Sequence, residues 1–164
     1  MAYSLNAPLP PAVRRQAGEL RADLPADVRP RERPTLVVKR VGEGDRDHRE
    51  LAARARDVLD GVAPCAARTA GLDAFESSTG PVVHVTVESP GLRRLHERLC
   101  RAFDPVEGIE GDDYASHVTL GRGGDPAAVA AFCERSIDPV GWTVDALSLW
   151  SERYREPVAH LPLG

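Results

Sequence analysis

The chain lacks several features that would assign it to a class at once. Its three cysteines, Cys65, Cys100 and Cys133, form no C-x-x-C pair, which excludes a zinc ribbon and a thioredoxin-like redox site. No apolar run approaches the roughly 20 residues that a membrane-spanning helix needs. The N-terminal segment also has neither the charged part nor the apolar part of a signal peptide. We therefore expect a soluble, cytoplasmic protein without a membrane partner.

The chain also lacks an excess of positive charge and almost lacks lysine. The 21 basic residues are outnumbered by 25 acidic residues, which gives a net charge of −4, and Lys39 is the only lysine. This balance excludes binding of nucleic acid by bulk charge, although a local basic patch stays possible. Arginine makes forked contacts to phosphate that lysine cannot make. A genome rich in G and C explains most of the bias by itself.

What is present predicts one folded domain. The chain has 164 residues, of which 42% are hydrophobic and 28% are charged, and this is an ordinary globular balance. Period-two and helical patterns alternate along the chain. They predict strands at 2–7, 35–41, 66–75, 82–88 and 116–122, and a closing hairpin of 142–150 with 157–163. Helices are predicted between these strands, for example after Ser89-Pro90, where a capping residue precedes proline.

The pattern restarts after the turn at residues 78–81, and this restart predicts internal symmetry. We expect an α+β fold within a single domain, 1–164, with two pseudo-symmetric β-α-β-α-β halves at about 1–77 and 78–164. Antiparallel-type sheets would form a central groove, and the helices would cover the outer faces.

Two tetrapeptides have the same shape: His84-Val-Thr-Val and His117-Val-Thr-Leu. In a strand, residues two apart point to the same face, so His117 and Thr119 should project together. An imidazole can move a proton near neutral pH, and a hydroxyl can donate to a phosphate oxygen. The pair therefore suits phosphate ester chemistry, although an isolated H-x-T more often belongs to a half-buried strand.

The segment Ser116-His-Val-Thr-Leu-Gly-Arg122, preceded by an acidic loop at 104–114, resembles the second H-x-T-x motif of the 2H phosphoesterase superfamily. The chain is similar to the 2′-5′ RNA ligase / RNA 2′,3′-cyclic phosphodiesterase family over nearly its whole length, including the Pro-Leu-Pro after its first strand. The resemblance implies a phosphodiesterase that needs no metal or cofactor and acts on RNA 2′,3′-cyclic phosphate ends or small cyclic nucleotides. It also implies His117 as acid or base, Thr119 as phosphate ligand and Arg122 as an anion contact. We expect a monomer.

The first motif of that family is altered here, because the matching segment is Arg33-Pro34-Thr35-Leu36. The resemblance implies that Thr35 contacts the phosphate. Arg33 stands where the family has its first histidine, and a guanidinium cannot act as a base. We expect Arg33 to bind phosphate, although it could also be a solvated loop residue beside Arg29 and Arg31. The change leaves a second function open, a non-catalytic RNA- or nucleotide-binding module on the same fold.

His84 lies outside the family's two motifs, yet alternation places it on the groove face of its strand, opposite Val83 and Val85. It has three interpretations: a substrate-binding residue, a structural histidine, or a replacement for the missing catalytic histidine. Glu110 and its acidic neighbours in the loop at 104–114 are expected to be solvated.

Overall fold

The computed structural model describes residues 2–42 and 47–164. The strands and helices follow one another in this order: β1 (Tyr3–Ala7), α1 (Pro11–Ala22), β2 (Arg29–Pro30), β3 (Leu36–Gly42), α2 (His48–Leu59), β4 (Cys65–Phe75), β5 (Val82–Glu88), α3 (Pro90–Leu99), a 3₁₀ turn (Gly111–Asp113), β6 (His117–Arg122), α4 (Pro126–Cys133), β7 (Gly141–Val144), β8 (Ala146–Ser151) and β9 (Glu156–Pro162). Within the described ranges, no helix is long and apolar enough to cross a bilayer.

The strands form two antiparallel sheets, which confirms the predicted α+β class. The first sheet has the order β3-β1-β8-β9, and the second has the order β2-β6-β5-β4-β7. Each sheet contains strands from both predicted halves of the chain. Strand β4 pairs with β5 and β7 in the second sheet, whereas β8 pairs with β1 in the first. The boundary at residues 77/78 is therefore not the boundary between the two sheets.

The helices begin where the sequence signals predict. Ser89 accepts a hydrogen bond from the Leu92 amide before Pro90 starts α3, and Asp125 caps α4 in the same way. The helices pack against the sheets: α1 lies against β6, α4 against β4 and α2 against β9, while α3 contacts β3 of the first sheet and β4 of the second. The buried apolar residues form one cluster that includes both sheets.

Alternation within the strands leaves the opposite sheet faces free of helices. In β5, Val83 and Val85 are buried in the apolar core, while His84 and Thr86 pair with Thr119 and His117 of β6 on the other face. In β1, Ser4 and Asn6 pair with Trp150 and Ser148 of β8. A groove lies between these polar faces.

The closing segment differs from its prediction. Residues 142–150 are not one strand, because β7 pairs with β4 in the second sheet and β8 pairs with β1 and β9 in the first. The chain passes from one sheet to the other at the exposed Asp145, between the buried Val144 and Ala146. Aspartate is disfavoured within strands. The predicted hairpin is present as β8 and β9. A two-residue strand, β2, occupies part of the predicted loop before Pro34.

Candidate active site

The groove between the sheets encloses a cavity of about 670 Å³. Its walls come from β1, β3 and β6, from the segment before β3, and from the acidic loop after α3. Of the residues predicted from the sequence, His117, Thr119, Thr35 and Arg122 line this cavity. Thr35 is far from the other three in the sequence, and the packing of the two sheets brings it to the same place.

His117 begins β6 and is held in one tautomer. Its Nδ1 lies 2.7 Å from the Ala115 carbonyl oxygen, which can only accept a hydrogen bond, so the proton is on Nδ1. Desolvation by burial, with smaller contributions from His84, Arg40 and Arg31, lowers the pKa of His117 to about 4, against the effect of the Ala115 bond. The imidazole is therefore neutral at pH 7, and its Nε2 lone pair can accept a proton.

Two threonine hydroxyls share the cavity with this imidazole. Thr119 lies two residues after His117 on the same face of β6, so alternation alone places it there. Thr35 comes from the opposite sheet, immediately before β3. Its Oγ1 accepts a hydrogen bond of 3.2 Å from the Arg31 guanidinium, which leaves the hydroxyl proton free to be donated to an anion.

The structure corrects the expected position of one arginine. Arg33 does not line the groove; it lines a second cavity, and its guanidinium donates to the Arg155 carbonyl oxygen at 3.1 Å. Arg31 lines the groove instead, together with Arg40, Arg54 and Arg122. The sequence indicated Arg31 only as a member of the arginine cluster with Arg29 and Arg33, either solvated or suited to the phosphates of an RNA end, and it did not single out Arg40.

Arg31 is positioned by an unexpected strand pairing. Strand β2 pairs with β6, and the Arg31 amide donates to the Leu120 carbonyl oxygen at 2.8 Å. The backbone of residue 31 is thereby fixed beside the strand that carries His117 and Thr119. Partial desolvation lowers the pKa of Arg31, as do the nearby Arg122 and Arg155, while Glu152 raises it. A guanidinium stays charged under such conditions, so Arg31 supplies a fixed positive charge.

His84 lies behind the groove rather than in it. Its ring stacks on Phe75 at 4.0 Å and meets the His117 ring edge-on at 5.0 Å between centroids. Only 2% of its surface is exposed, and its Nδ1 donates to the Val82 carbonyl oxygen at 3.0 Å. The two imidazoles are adjacent, as alternation predicts, but the burial of His84 favours the structural interpretation over direct contact with a substrate.

A buried ion pair fixes the acidic loop against β3. Lys39 and Glu110 are both fully buried, and the Lys39 ammonium donates to Glu110 at 2.6 Å and to the Asp104 carbonyl oxygen at 3.0 Å. The second carboxylate oxygen accepts from the Arg40 amide at 2.9 Å and lies 3.6 Å from the Arg40 guanidinium. The prediction that Glu110 is solvated is therefore wrong. This carboxylate instead holds Arg40 and the loop in place at the groove.

A second contact fixes the other end of this loop. His96 stacks on Tyr114 at 3.9 Å, donates to the Val38 carbonyl oxygen and accepts from the Gly111 amide. Burial raises the pKa of Tyr114 to about 12, so its hydroxyl stays protonated and donates to the Val37 carbonyl oxygen at 2.9 Å. The loop is therefore a fixed wall of the groove.

Comparison with known proteins identifies the family. A family model described as the 2′-5′ RNA ligase superfamily matches residues 9–156, most of the chain. The chain belongs to the 2′-5′ RNA ligase superfamily. No curated protein sequence matches it significantly.

Solved structures share the fold of this superfamily member at low sequence identity. TT0787 of Thermus thermophilus is 20% identical with a TM-score of 0.73, over 99% of this chain and 98% of that one. LigT of E. coli complexed with 3′-AMP is 20% identical with a TM-score of 0.64, over 99% and 97%. LigT complexed with NADP+ is 21% identical with a TM-score of 0.62, over 99% and 96%. These similarities establish the fold along the whole chain.

The groove of this 2′-5′ RNA ligase superfamily member has one histidine on its wall within the described residues, His117. The family resemblance implies one histidine from each half. Here the first half contributes Thr35 and the guanidinium of Arg31 at the corresponding wall. The same ranges contain no group of three or more His, Cys, Asp or Glu side chains arranged to hold a metal ion.

Proposed function

We propose that the protein is a phosphodiesterase that opens 2′,3′-cyclic phosphates at RNA ends or in small cyclic nucleotides. One observation carries this proposal. A neutral imidazole shares a groove with two threonine hydroxyls and four arginines. The groove therefore combines a base with donors for an anion, and membership of the 2′-5′ RNA ligase superfamily supports a phosphoester as that anion.

The fixed donors would bind the phosphoryl oxygens. Thr35 and Thr119 approach from the two sheets, and Arg31 is held to Thr35 by its own hydrogen bond. Because the guanidiniums are already in place, they stabilise charge that develops on the phosphoryl oxygens without further rearrangement. Arg40 and Arg122 extend the positive wall. Binding and charge stabilisation thus come mainly from residues that cannot transfer protons.

The proton transfers then depend on His117. Its Nε2 takes a proton from water while the water oxygen forms the new bond to phosphorus. The bond from phosphorus to one ribose oxygen breaks, and that oxygen takes a proton from solvent, which leaves a ribose phosphomonoester. Since the described groove wall carries no second imidazole, general acid assistance to the leaving oxygen from a second histidine is missing. Loss of one proton-transfer partner costs about 10²–10⁴ in rate, so we expect slow turnover.

The test is hydrolysis of a 2′,3′-cyclic nucleotide in the presence of EDTA, with the rate measured as the amount of phosphomonoester formed. The wild type should turn over without added metal, and His117→Ala should lose activity by about 10²–10⁴-fold. His160→Gln is the matched control, because His160 is exposed on β9 and lies outside the groove. Equal rates for the wild type and His117→Ala would contradict the enzyme proposal, and dependence on added metal would contradict its metal-free form.

A non-catalytic nucleotide-binding module is the second candidate. The observation in its favour is that the described groove wall carries one imidazole and several guanidiniums, which bind anions but do not exchange protons at reachable pH. A binding titration with the same cyclic nucleotide separates the two candidates. Saturable binding without turnover favours the binding module, whereas the absence of any nucleotide binding would contradict both.

A further inference from the structure

A second cavity of about 350 Å³ adjoins the groove, and Thr35 lines both. Small-molecule sites range from about 300 to 1,000 Å³, so this cavity suits a single small group. We propose that it binds the nucleobase of the nucleotide whose phosphate lies in the groove. This inference rests on the proposed function for the position of the phosphate, and it adds a base-binding subsite.

The lining of the second cavity suits a flat ring rather than a phosphate. Its apolar wall contains a tryptophan on β8 together with alanine, leucine and proline side chains. These residues are Trp150, Ala7, Leu9, Pro8, Pro34 and Pro157. Trp150 is half-buried, so its indole is accessible from the cavity that it lines. Stacking on an aromatic side chain is tolerant of base identity, because every base has a π-face. The charged residues of the lining, including Arg33, are exposed.

Asn6 supplies a polar group within this apolar wall. It is only 6% exposed and lines the cavity. Its Oδ1 accepts from the Ser4 hydroxyl at 2.9 Å, and its Nδ2 is a hydrogen-bond donor. A nucleobase edge carries carbonyl oxygens and ring nitrogens that can accept a hydrogen bond from this amide. Asn6 is therefore placed to contact the edge of a base that stacks on Trp150.

Strand β1 links the two cavities directly. Ser4 lines the groove and Asn6 lines the second cavity, and both side chains lie on one face of the strand. Their side chains hydrogen-bond to each other at 2.9 Å. The groove and the second cavity therefore meet at this strand, as they also do at Thr35.

The experiment uses Trp150 as its own reporter. The chain has two tryptophans, so Trp142→Phe leaves Trp150 alone. The Trp142 indole nitrogen is buried without a partner in the described chain, and the exchange therefore loses no hydrogen bond there. Adenosine and uridine are titrated as phosphate-free probes, with inorganic phosphate as the probe for the groove. We expect saturable quenching of Trp150 by at least one nucleoside and none by phosphate.

Two variants test the residues. Asn6→Asp keeps the acceptor for Ser4 and removes the amide donor, so it should weaken nucleoside binding by about 2- to 10-fold. Trp150→Leu should raise the KM for a 2′,3′-cyclic nucleotide by about 5- to 150-fold. It should not change the KM for methyl riboside 2′,3′-cyclic phosphate, which has no base.

The outcomes separate this inference from the proposed function. Hydrolysis of cyclic nucleotides with no nucleoside effect on Trp150 would overturn the base subsite and leave the enzyme intact. Nucleoside binding that depends on Asn6, without turnover, would support the subsite and contradict the hydrolase. Equal KM changes for the substrates with and without a base would show that Trp150 acts only structurally, and would overturn the subsite.

Discussion

Replacement of Lys39 by methionine tests whether the buried ion pair holds the groove wall. The change removes the ammonium and keeps a side chain of similar length, so the principal loss is electrostatic. Glu110 would remain fully buried without the 2.6 Å bond from Lys39. The carbonyl oxygens of Arg40 and Asp104 would also lose a donor. Lys39→Met should therefore destabilise the protein and loosen the acidic loop.

The expected magnitude follows from the partners that stay. Removal of one member of a buried ion pair costs about 3–5 kcal/mol. Glu110 would keep its hydrogen bonds from the amides of Arg40 and Val106, at 2.9 and 3.0 Å. This puts the loss near the lower end, about 3 kcal/mol, which is a large share of the roughly 5–15 kcal/mol typical of folded domains.

The assay is urea unfolding at pH 7. With a slope of about 1–3 kcal/mol per molar, the midpoint of Lys39→Met should fall by roughly 1–3 M. The double variant Lys39→Met/Glu110→Leu removes both charges, so it should be more stable than the single variant. Arg68→Ala is the surface control. Its pair with Glu88 is 56% and 57% exposed, and such pairs contribute about 0–1 kcal/mol.

Two results would refute this reasoning. The first is a fall in the free energy of unfolding of less than about 1 kcal/mol in Lys39→Met. It would mean that the Glu110 carboxylate becomes hydrated or protonated at little cost, whereas a carboxylate confined in a closed, buried site could not. A double variant as unstable as the sum of the two single variants would mean that Lys39 and Glu110 do not stabilise each other.

Three further predictions concern the groove. His117 carries a pKa of about 4 and must be neutral to act as a base, so kcat/KM should stay level from pH 7 to about 5 and fall as the pH drops through about 4; a limb near pH 6.5 would contradict this. Arg31→Ala should weaken binding of a cyclic nucleotide and reduce the salt dependence of that binding, while Arg33→Ala should leave the salt dependence unchanged, as measured by titration between about 50 and 200 mM salt. His84→Phe keeps a ring against Phe75 and should retain activity within about 3-fold in a steady-state assay; a loss of about 10²-fold or more would instead identify His84 as a proton-transfer residue.

Local patterns in the sequence were sufficient for the features that depend on period and capping. The side chains of His84, His117 and Thr119 share a face because a strand has a period of two, and α3 begins after Ser89-Pro90 because those residues cap and preset a helix. Each of these features is determined within a few residues. They did not require knowledge of which strands pair.

The features that were missed depend on partners far along the chain. Arg31 reaches the groove because β2 pairs with β6. Nothing in the arginine- and proline-rich sequence around Arg31 predicts that pairing. Glu110 is buried because Lys39 meets it across 71 positions. The break at Asp145 likewise depends on distant partners, because β7 pairs with β4 in one sheet and β8 pairs with β1 in the other. Spacing and periodicity do not encode such pairings.

The exchange of strands between the sheets also determines when the fold can form. Strand β1 lies between β3 and β8, so its second neighbour is separated from it by most of the chain. During synthesis, β1 and β3 can pair early, but the other edge of β1 stays open until residues 146–151 have left the ribosome. An open edge strand is a template for pairing with other chains, and long-range pairing of this kind slows folding. Strand β8, made more than a hundred residues after β1, therefore closes the wall on which Ser4 and Asn6 lie.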